Sequence, residues 1–391
     1  MSFADVKFQT AAVHMLQAAA AGDRLPHAFL FVGPRGTGKG LVARQLAKLL
    51  FCQSPRGKGT AAPDSCDACE ACRRVDRGVH PDLHWFRKEE DRNDFRVALV
   101  VRGRGDEGAD IDVTVTESVM LHPMEAPSTV TVLDDAETLN RTAANALLKT
   151  LEEPSPRAVL ILLCADAEAL PGTILSRCQW VRFGPLPEEF VAEKVREVLA
   201  ARARAAAAPA KGRKGAAAPP PPAAKAVSAD EIAFVCRFAG GSIEQAARLA
   251  GGGLWELKRL LVGRLPEIDS AAALEMAESI DVWAKDAAKA AGAKKETPEY
   301  NAQRRQCARL ALAAVASAFG DAAVLAAGAA DAARIVNGDQ RAILDRLAAW
   351  PSDACSRAVA LLADAQSQIG RYVHTELATE NALIQVARLK A

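Results

Sequence analysis

Short, continuous apolar runs and longer amphipathic stretches alternate over the first half of the chain. "AFLFVG" (Ala28 to Gly33), "TVTVLD" (Thr129 to Asp134) and "AVLILLCA" (Ala158 to Ala165) are rich in Val, Ile, Leu and Phe. Such runs suit strands buried on both faces of a parallel sheet. "GLVARQLAKLLF" and "RTAANALLKTLEE" follow the first two with helical spacing. Residues 1–186 therefore read as a doubly wound α/β layer structure with helices on both faces. After "FGPLP" (Phe183 to Pro187) the strand pattern stops and only helical periodicity remains. Ser228 with Glu231 three residues on is a capping-box start, and the two helices beyond it are split at Gly240-Gly241.

The pattern gives three parts: an α/β domain over 1–186, a small helical domain over 187–254, and an all-helical, Ala-rich domain over 255–391. A low-complexity insertion of Ala, Pro, Gly and Lys, about 203–228, reads as a mobile linker. A second loose stretch, "AKDAAKAAGAKKETPEY", interrupts the last part. "DVTVTESVMLHPMEAPSTV" is not clearly helical, which leaves the segment 93–128 without an assignment.

Composition changes little. Lys plus Arg total 49 against 48 for Asp plus Glu, a net charge of +1. That balance argues against a protein that coats nucleic acid by itself. No apolar run reads as long enough to span a bilayer and the N-terminus has no signal-peptide pattern, so a cytoplasmic location is expected.

Three motifs carry chemistry. Gly33 to Gly40 reads G-P-R-G-T-G-K-G between a strand and a helix. In a phosphate loop, Gly33, Gly36, Thr37 and Gly38 turn backbone N–H groups around phosphates, and Lys39 neutralises their oxygens. Gly40 stands where a Ser or Thr would coordinate Mg²⁺. Nucleotide (ATP or ADP) is thus expected to bind weakly or not at all, with Mg²⁺ doubtful. Asp134 and Asp135 end the second strand like the metal-holding and water-polarising acids of phosphate-loop ATPases. Asp135 is one methylene shorter than the usual Glu, a loss of reach of roughly 1.5 Å.

Cys52, Cys66, Cys69 and Cys72 follow the spacing C-x13-C-x2-C-x2-C. Four thiolates suit a closed tetrahedral zinc site inside an insert of about 52–83. An iron–sulfur run would need a further Cys where Asp76 stands. Cys164, Cys178, Cys236, Cys307 and Cys355 read as buried small apolar residues. His80 reads as a loop or packing residue.

"RLPHAFLFVGPRGTGKG", the four-Cys module, "HPDL", "NALLKTLEEP" (Asn145 to Pro154) and "LPGTILSRCQ" (Leu170 to Gln179) together resemble bacterial clamp-loader AAA+ subunits, the γ/τ and δ′ subunits of DNA polymerase III. The resemblance covers residues 24–183. It implies an AAA+ module, a helical lid and a helical collar. It also implies a five-subunit ring with γ/τ and δ partners that places a sliding clamp on primer-template DNA. Arg177, between Ser176 and Cys178, would be an arginine finger reaching a neighbour's ATP.

Four departures from the hydrolysing pattern follow from the same resemblance: Gly40, Asp135, Ala165-Asp166 in place of a sensing Thr, and Glu244 in place of a lid Arg. They point to a δ′-type member of the polymerase holoenzyme without ATPase activity of its own. The alternatives are an active γ/τ-type ATPase and a zinc-stabilised scaffold outside replication.

Overall fold

The computed structural model describes residues 1–22, 25–88, 95, 97–102, 113–207, 227–293, 295, 297–328, 335–351, 353–371 and 374–390. It divides into two compact units, Met1–Pro187 and Glu188–Ala391.

In the first unit, five parallel strands stand in the order β2-β3-β4-β1-β5. They are β1 (Ala28–Val32), β2 (Leu83–Phe86), β3 (Thr129–Leu133), β4 (Ala158–Cys164) and β5 (Gln179–Arg182). The three apolar runs of the sequence are the three central strands, β1, β3 and β4. The strands at the rims, β2 and β5, are four residues each and only part-buried, so no continuous apolar run announces them.

Alternate side chains along each central strand enter two separate cores. Phe29, Phe31, Val130, Val132, Ile161 and Leu163 meet α1 (Thr10–Ala21), α2 (Lys39–Phe51) and α3 (Glu70–Arg77) on one face. Leu30, Leu133, Leu160 and Leu162 meet α4 (Val97–Val100), α5 (Val115–Met120), α6 (Arg141–Glu152) and α7 (Gly172–Leu175) on the other. The period of two along a strand forces this split when both faces are covered.

The stretch that is not clearly helical by pattern contains α5. Thr114 accepts the Glu117 N–H, and Glu117 reaches back to the Thr114 N–H. That reciprocal cap makes a helix of six residues here. Residues 103–112 lie outside the described part.

In the second unit, α8 (Glu188–Ala207), α9 (Ala229–Phe238) and α10 (Ile243–Leu249) pack on one another. Ser228 caps α9 as expected, while the Glu231 carboxylate accepts the Gly251 N–H. The low-complexity insertion falls mostly on 208–226, outside the described residues.

The helices α11 (Leu254–Arg264), α12 (Ser270–Ala290), α13 (Pro298–Ala326), α14 (Arg341–Ala348), α15 (Ala354–Gly370) and α16 (Thr375–Ala387) share one apolar core. Part of the second loose stretch is helix: α12 runs through Ala284–Ala290, because Ala and Lys favour helix there. The expectation about apolar runs also needs correction. By length and composition α13 could cross a membrane, with a window of mean hydropathy 1.5. Half of that window is buried against neighbouring helices. Its buried Asp321 accepts the Val336 and Asn337 N–H groups, as in a core helix.

Candidate functional site

The phosphate loop joins β1 to α2. Gly33 passes so close to Phe183 that a Cβ would lie 2.3 Å from its carbonyl oxygen. Only glycine fits there. Gly38 caps α2 with φ of 97°, in the left-handed region that suits glycine. The Thr37 hydroxyl donates to the Pro34 carbonyl at 2.8 Å. Lys39 is buried, and its Nζ donates to the carbonyls of Gly33 at 2.6 Å and Pro34 at 2.8 Å. Burial lowers its pKa, against the pull of Glu137 and Asp134.

One residue that the motif does not include holds the loop from outside. Gln9 is buried; its Nε2 donates to the carbonyls of Thr37 (3.2 Å) and Gly184 (2.9 Å), and its Oε1 accepts the Gly184 N–H. No sequence signal marks it.

Gly40 sits in the first turn of α2 facing the indole of Trp85 on β2. A Cβ there would stand 3.5 Å from Cζ2 and 3.7 Å from Cη2. The Arg44 guanidinium lies over the same ring at 5.5 Å. The Trp85 Nε1 is buried and finds no hydrogen-bond partner among the described residues.

The acidic strand end meets two arginines. The register of β2 on β3 runs Leu83↔Val130 to Phe86↔Leu133, and the Asp134 N–H continues it to the Phe86 carbonyl. One residue further, Arg87 stands beside Asp134 and donates to its Oδ2 from Nε (3.1 Å) and Nη2 (2.9 Å). Asp135 is a non-glycine residue with φ of 57°, and its Oδ1 pairs with Arg35 of the phosphate loop at 2.8 Å. Arg35 also reaches Glu137 Oε1 at 3.1 Å, while Glu137 Oε2 accepts the Ala165 N–H. Burial raises the Asp135 pKa; Arg35 opposes that and the neighbouring carboxylates add to it. Arg35, Arg87, Glu137 and Trp85 escape the sequence reading. Arg35 occupies a variable position of the motif, and the other three lie outside it.

Arg177 follows α7. Its Nη1 donates to the Thr173 carbonyl at 2.9 Å and its Nη2 to Glu152 Oε1 at 2.7 Å, at the end of α6. The side chain is 35% exposed. Cys178 is buried beneath, and burial pushes its thiol up to about 12. Glu244 lies exposed in the first turn of α10, after the capping Ser242.

The four cysteines converge. Cys52 caps the C-terminus of α2, Cys69 the N-terminus of α3, and all four sulfurs lie within 4.8 Å of one another. The Cys66 N–H points at the Cys52 sulfur and the Cys69 N–H at the Cys66 sulfur, each at 3.3 Å. Backbone N–H groups of Ala68 and Cys69 lower the Cys66 pKa to about 6. This donor set could hold a metal ion. Buried Lys48 of α2 ties the module down through Asp67, Asp76 (2.9 Å) and the Met1 carbonyl (2.6 Å). His80 stacks on Phe51 and its Nδ1 accepts the Asp82 N–H, a packing role.

The family described as "DNA polymerase III, delta subunit" matches residues 8–187. The chain is 34% identical over 175 residues to the DNA polymerase III subunit δ′ of Bacillus subtilis, covering 45% of this chain and 47% of that one. Over these residues the chain is similar to DNA polymerase III subunits of the δ′ and τ type.

The δ′ subunit of Pseudomonas aeruginosa is 38% identical over 152 residues (39% and 41% of the two chains). The τ subunit of Escherichia coli is 34% identical over 201 residues (51% and 28%). The chain thus spans about half the length, or less, of the curated relatives it matches. A γ-subunit-related protein of Thermotoga maritima aligns over 97% of this chain and 100% of its own with a TM-score of 0.41 and 14% identity, too distant to transfer an arrangement. The α/β fold rests instead on the five-stranded parallel sheet, its strand order and the phosphate loop after β1.

Proposed function

We propose that this chain acts as the δ′-type subunit of a DNA polymerase III clamp loader: a ring member that does not hydrolyse ATP itself but lends Arg177 to a neighbour. The observation that carries this reading is the state of its own site. Gly40 offers no hydroxyl, and Asp134 and Asp135 are each engaged by an arginine of the same chain. Hydrolysis at a phosphate loop needs the hydroxyl and the first acid on Mg²⁺, and a second carboxylate toward water. Arg177, in contrast, is held by Glu152, the Thr173 carbonyl and the Ser176 hydroxyl at a part-exposed position. A guanidinium supplied in trans stabilises charge on a transferring phosphoryl and is worth ~10³–10⁵ in rate in GTPases.

On this reading α8–α10 form the lid and α11–α16 the collar. The partners are γ/τ and δ subunits in a five-membered ring, the sliding clamp, and primer-template DNA held through the complex. The location is cytoplasmic. The four cysteines would hold zinc, whose preference for four thiolates matches a closed structural site; it would pin residues 52–83. The τ relatives support a second reading, a hydrolysing γ/τ-type subunit. Steady Mg²⁺-dependent hydrolysis by the isolated chain would favour it.

The test is the reconstituted complex carrying Arg177→Ala. Clamp- and DNA-stimulated hydrolysis is expected to fall by at least about 10²-fold. Unchanged turnover would remove the finger.

A further inference from the structure

The phosphate corner carries resident cations where its motif implies a divalent metal. Mg²⁺ demands near-octahedral oxygen ligation at about 2.0–2.1 Å. The donors here do not fit it. Gly40 supplies no oxygen, and the space its side chain would enter is lined by the Trp85 ring at 3.5 Å. The Asp134 Oδ2 accepts two N–H bonds from Arg87, and its Oδ1 accepts the Asp135 N–H. Asp135 and Glu137 share Arg35. Three carboxylates therefore face Arg35, Arg87 and Lys39 within one corner, and Lys88 also acts on Asp135. The acids that would repel a polyphosphate are already neutralised, and two of the cations, Arg35 and Lys39, belong to the loop that would cradle it.

We propose that this corner binds the polyphosphate of a nucleoside di- or triphosphate without a divalent cation, Arg35 and Arg87 standing in for the metal. The proposal rests on reading the loop as a nucleotide site in a non-hydrolysing subunit. Its test needs neither the finger nor the other subunits. Arg87 takes the metal's place on Asp134; Arg35 does so on Asp135 and Glu137 and also faces the phosphates beside Lys39. The Trp85 ring lies in van der Waals contact with the position a Cβ at residue 40 would take.

The experiment is titration calorimetry of the full chain with ATP and with ADP, in excess Mg²⁺ and in EDTA. Affinity is expected to be equal or tighter in EDTA, and Lys39→Ala to weaken it about tenfold or more. Binding at least about tenfold tighter with Mg²⁺ would overturn the proposal, as would no binding in either condition up to millimolar nucleotide. Arg87→Ala is expected to shift the EDTA-to-Mg²⁺ affinity ratio toward the metal by about threefold or more, with Arg87→Gln as a second variant. Arg87 is 66% exposed, so folding is not at stake. An unchanged ratio in both variants would overturn its role. The titration uses this chain alone and the finger acts only on a neighbour, so a failed finger and a failed metal-free site give different results.

Discussion

The two ends of α2 handle charge in opposite ways. At its N-terminus, three carboxylates converge near the phosphate loop and each already has an arginine of the same chain. At its C-terminus, four thiols converge on one another within 4.8 Å. Both are sequence motifs for a metal. They differ in what surrounds the donors. Hard oxygen donors that already hold guanidinium groups have little left for a hard cation. Soft sulfur donors drawn together by backbone N–H groups are arranged for a soft one. A motif states which donors exist; their partners decide whether they are available.

The largest expected effect breaks the contrast at its sulfur end. The protein should carry about one zinc per chain, and structural zinc is worth ~10–16 kcal/mol in zinc-finger peptides near neutral pH. Cys69→Ser should lose the ion and open residues 52–83 to protease while the sheet stays folded. Metal analysis with limited proteolysis measures both. A wild-type protein without zinc would end the comparison.

A smaller effect comes from Lys48, the cation that α2 directs into the module. It is buried, and it is shared by Asp67 and Asp76. Removing one partner of a buried pair costs about 3–5 kcal/mol. Asp76 is 40% exposed, which places Lys48→Met toward the lower end, about 3 kcal/mol, in a thermal or denaturant melt. A melt within about 0.5 kcal/mol of wild type would show that the cysteines hold the module without it.

The smallest effect tests a third way of satisfying a carboxylate. Asp82 is buried and accepts the N–H groups of Met124, Glu125 and Ala126. Burial pushes its pKa up, but those bonds outweigh it and hold the group below its ordinary value. Its contribution to stability is therefore present above about pH 4 and lost as the pH falls through the lower folded-state value. Asp82→Asn should cost about 1–3 kcal/mol at neutral pH and flatten that part of the acid limb. An unaltered acid limb would contradict the assignment.

The central strands were legible because burial on both faces makes an unbroken apolar run. β2 was not: "LHWF" is a rim strand of four part-buried residues. With β2 unseen, nothing in the sequence could place Trp85 against Gly40 or Arg87 against Asp134, since both follow from its register on β3. Thr114 and Glu117 did carry a legible cap that the apolar pattern obscured. The positions of Lys39, Asp134, Arg177 and the four cysteines could be named from spacing alone. The partners of Arg177 and Asp134, Glu152 and Arg87, could not, because those contacts join segments distant in sequence.

Gln9 has one more consequence. Its amide clips the phosphate loop at Thr37 to the strand-exit segment at Gly184, three residues short of where the first unit ends at Pro187. Trimming the chain past this glutamine to tidy an expression clone would uncouple the loop from that exit at a stroke. The leading residues are better regarded as a latch than as a tail.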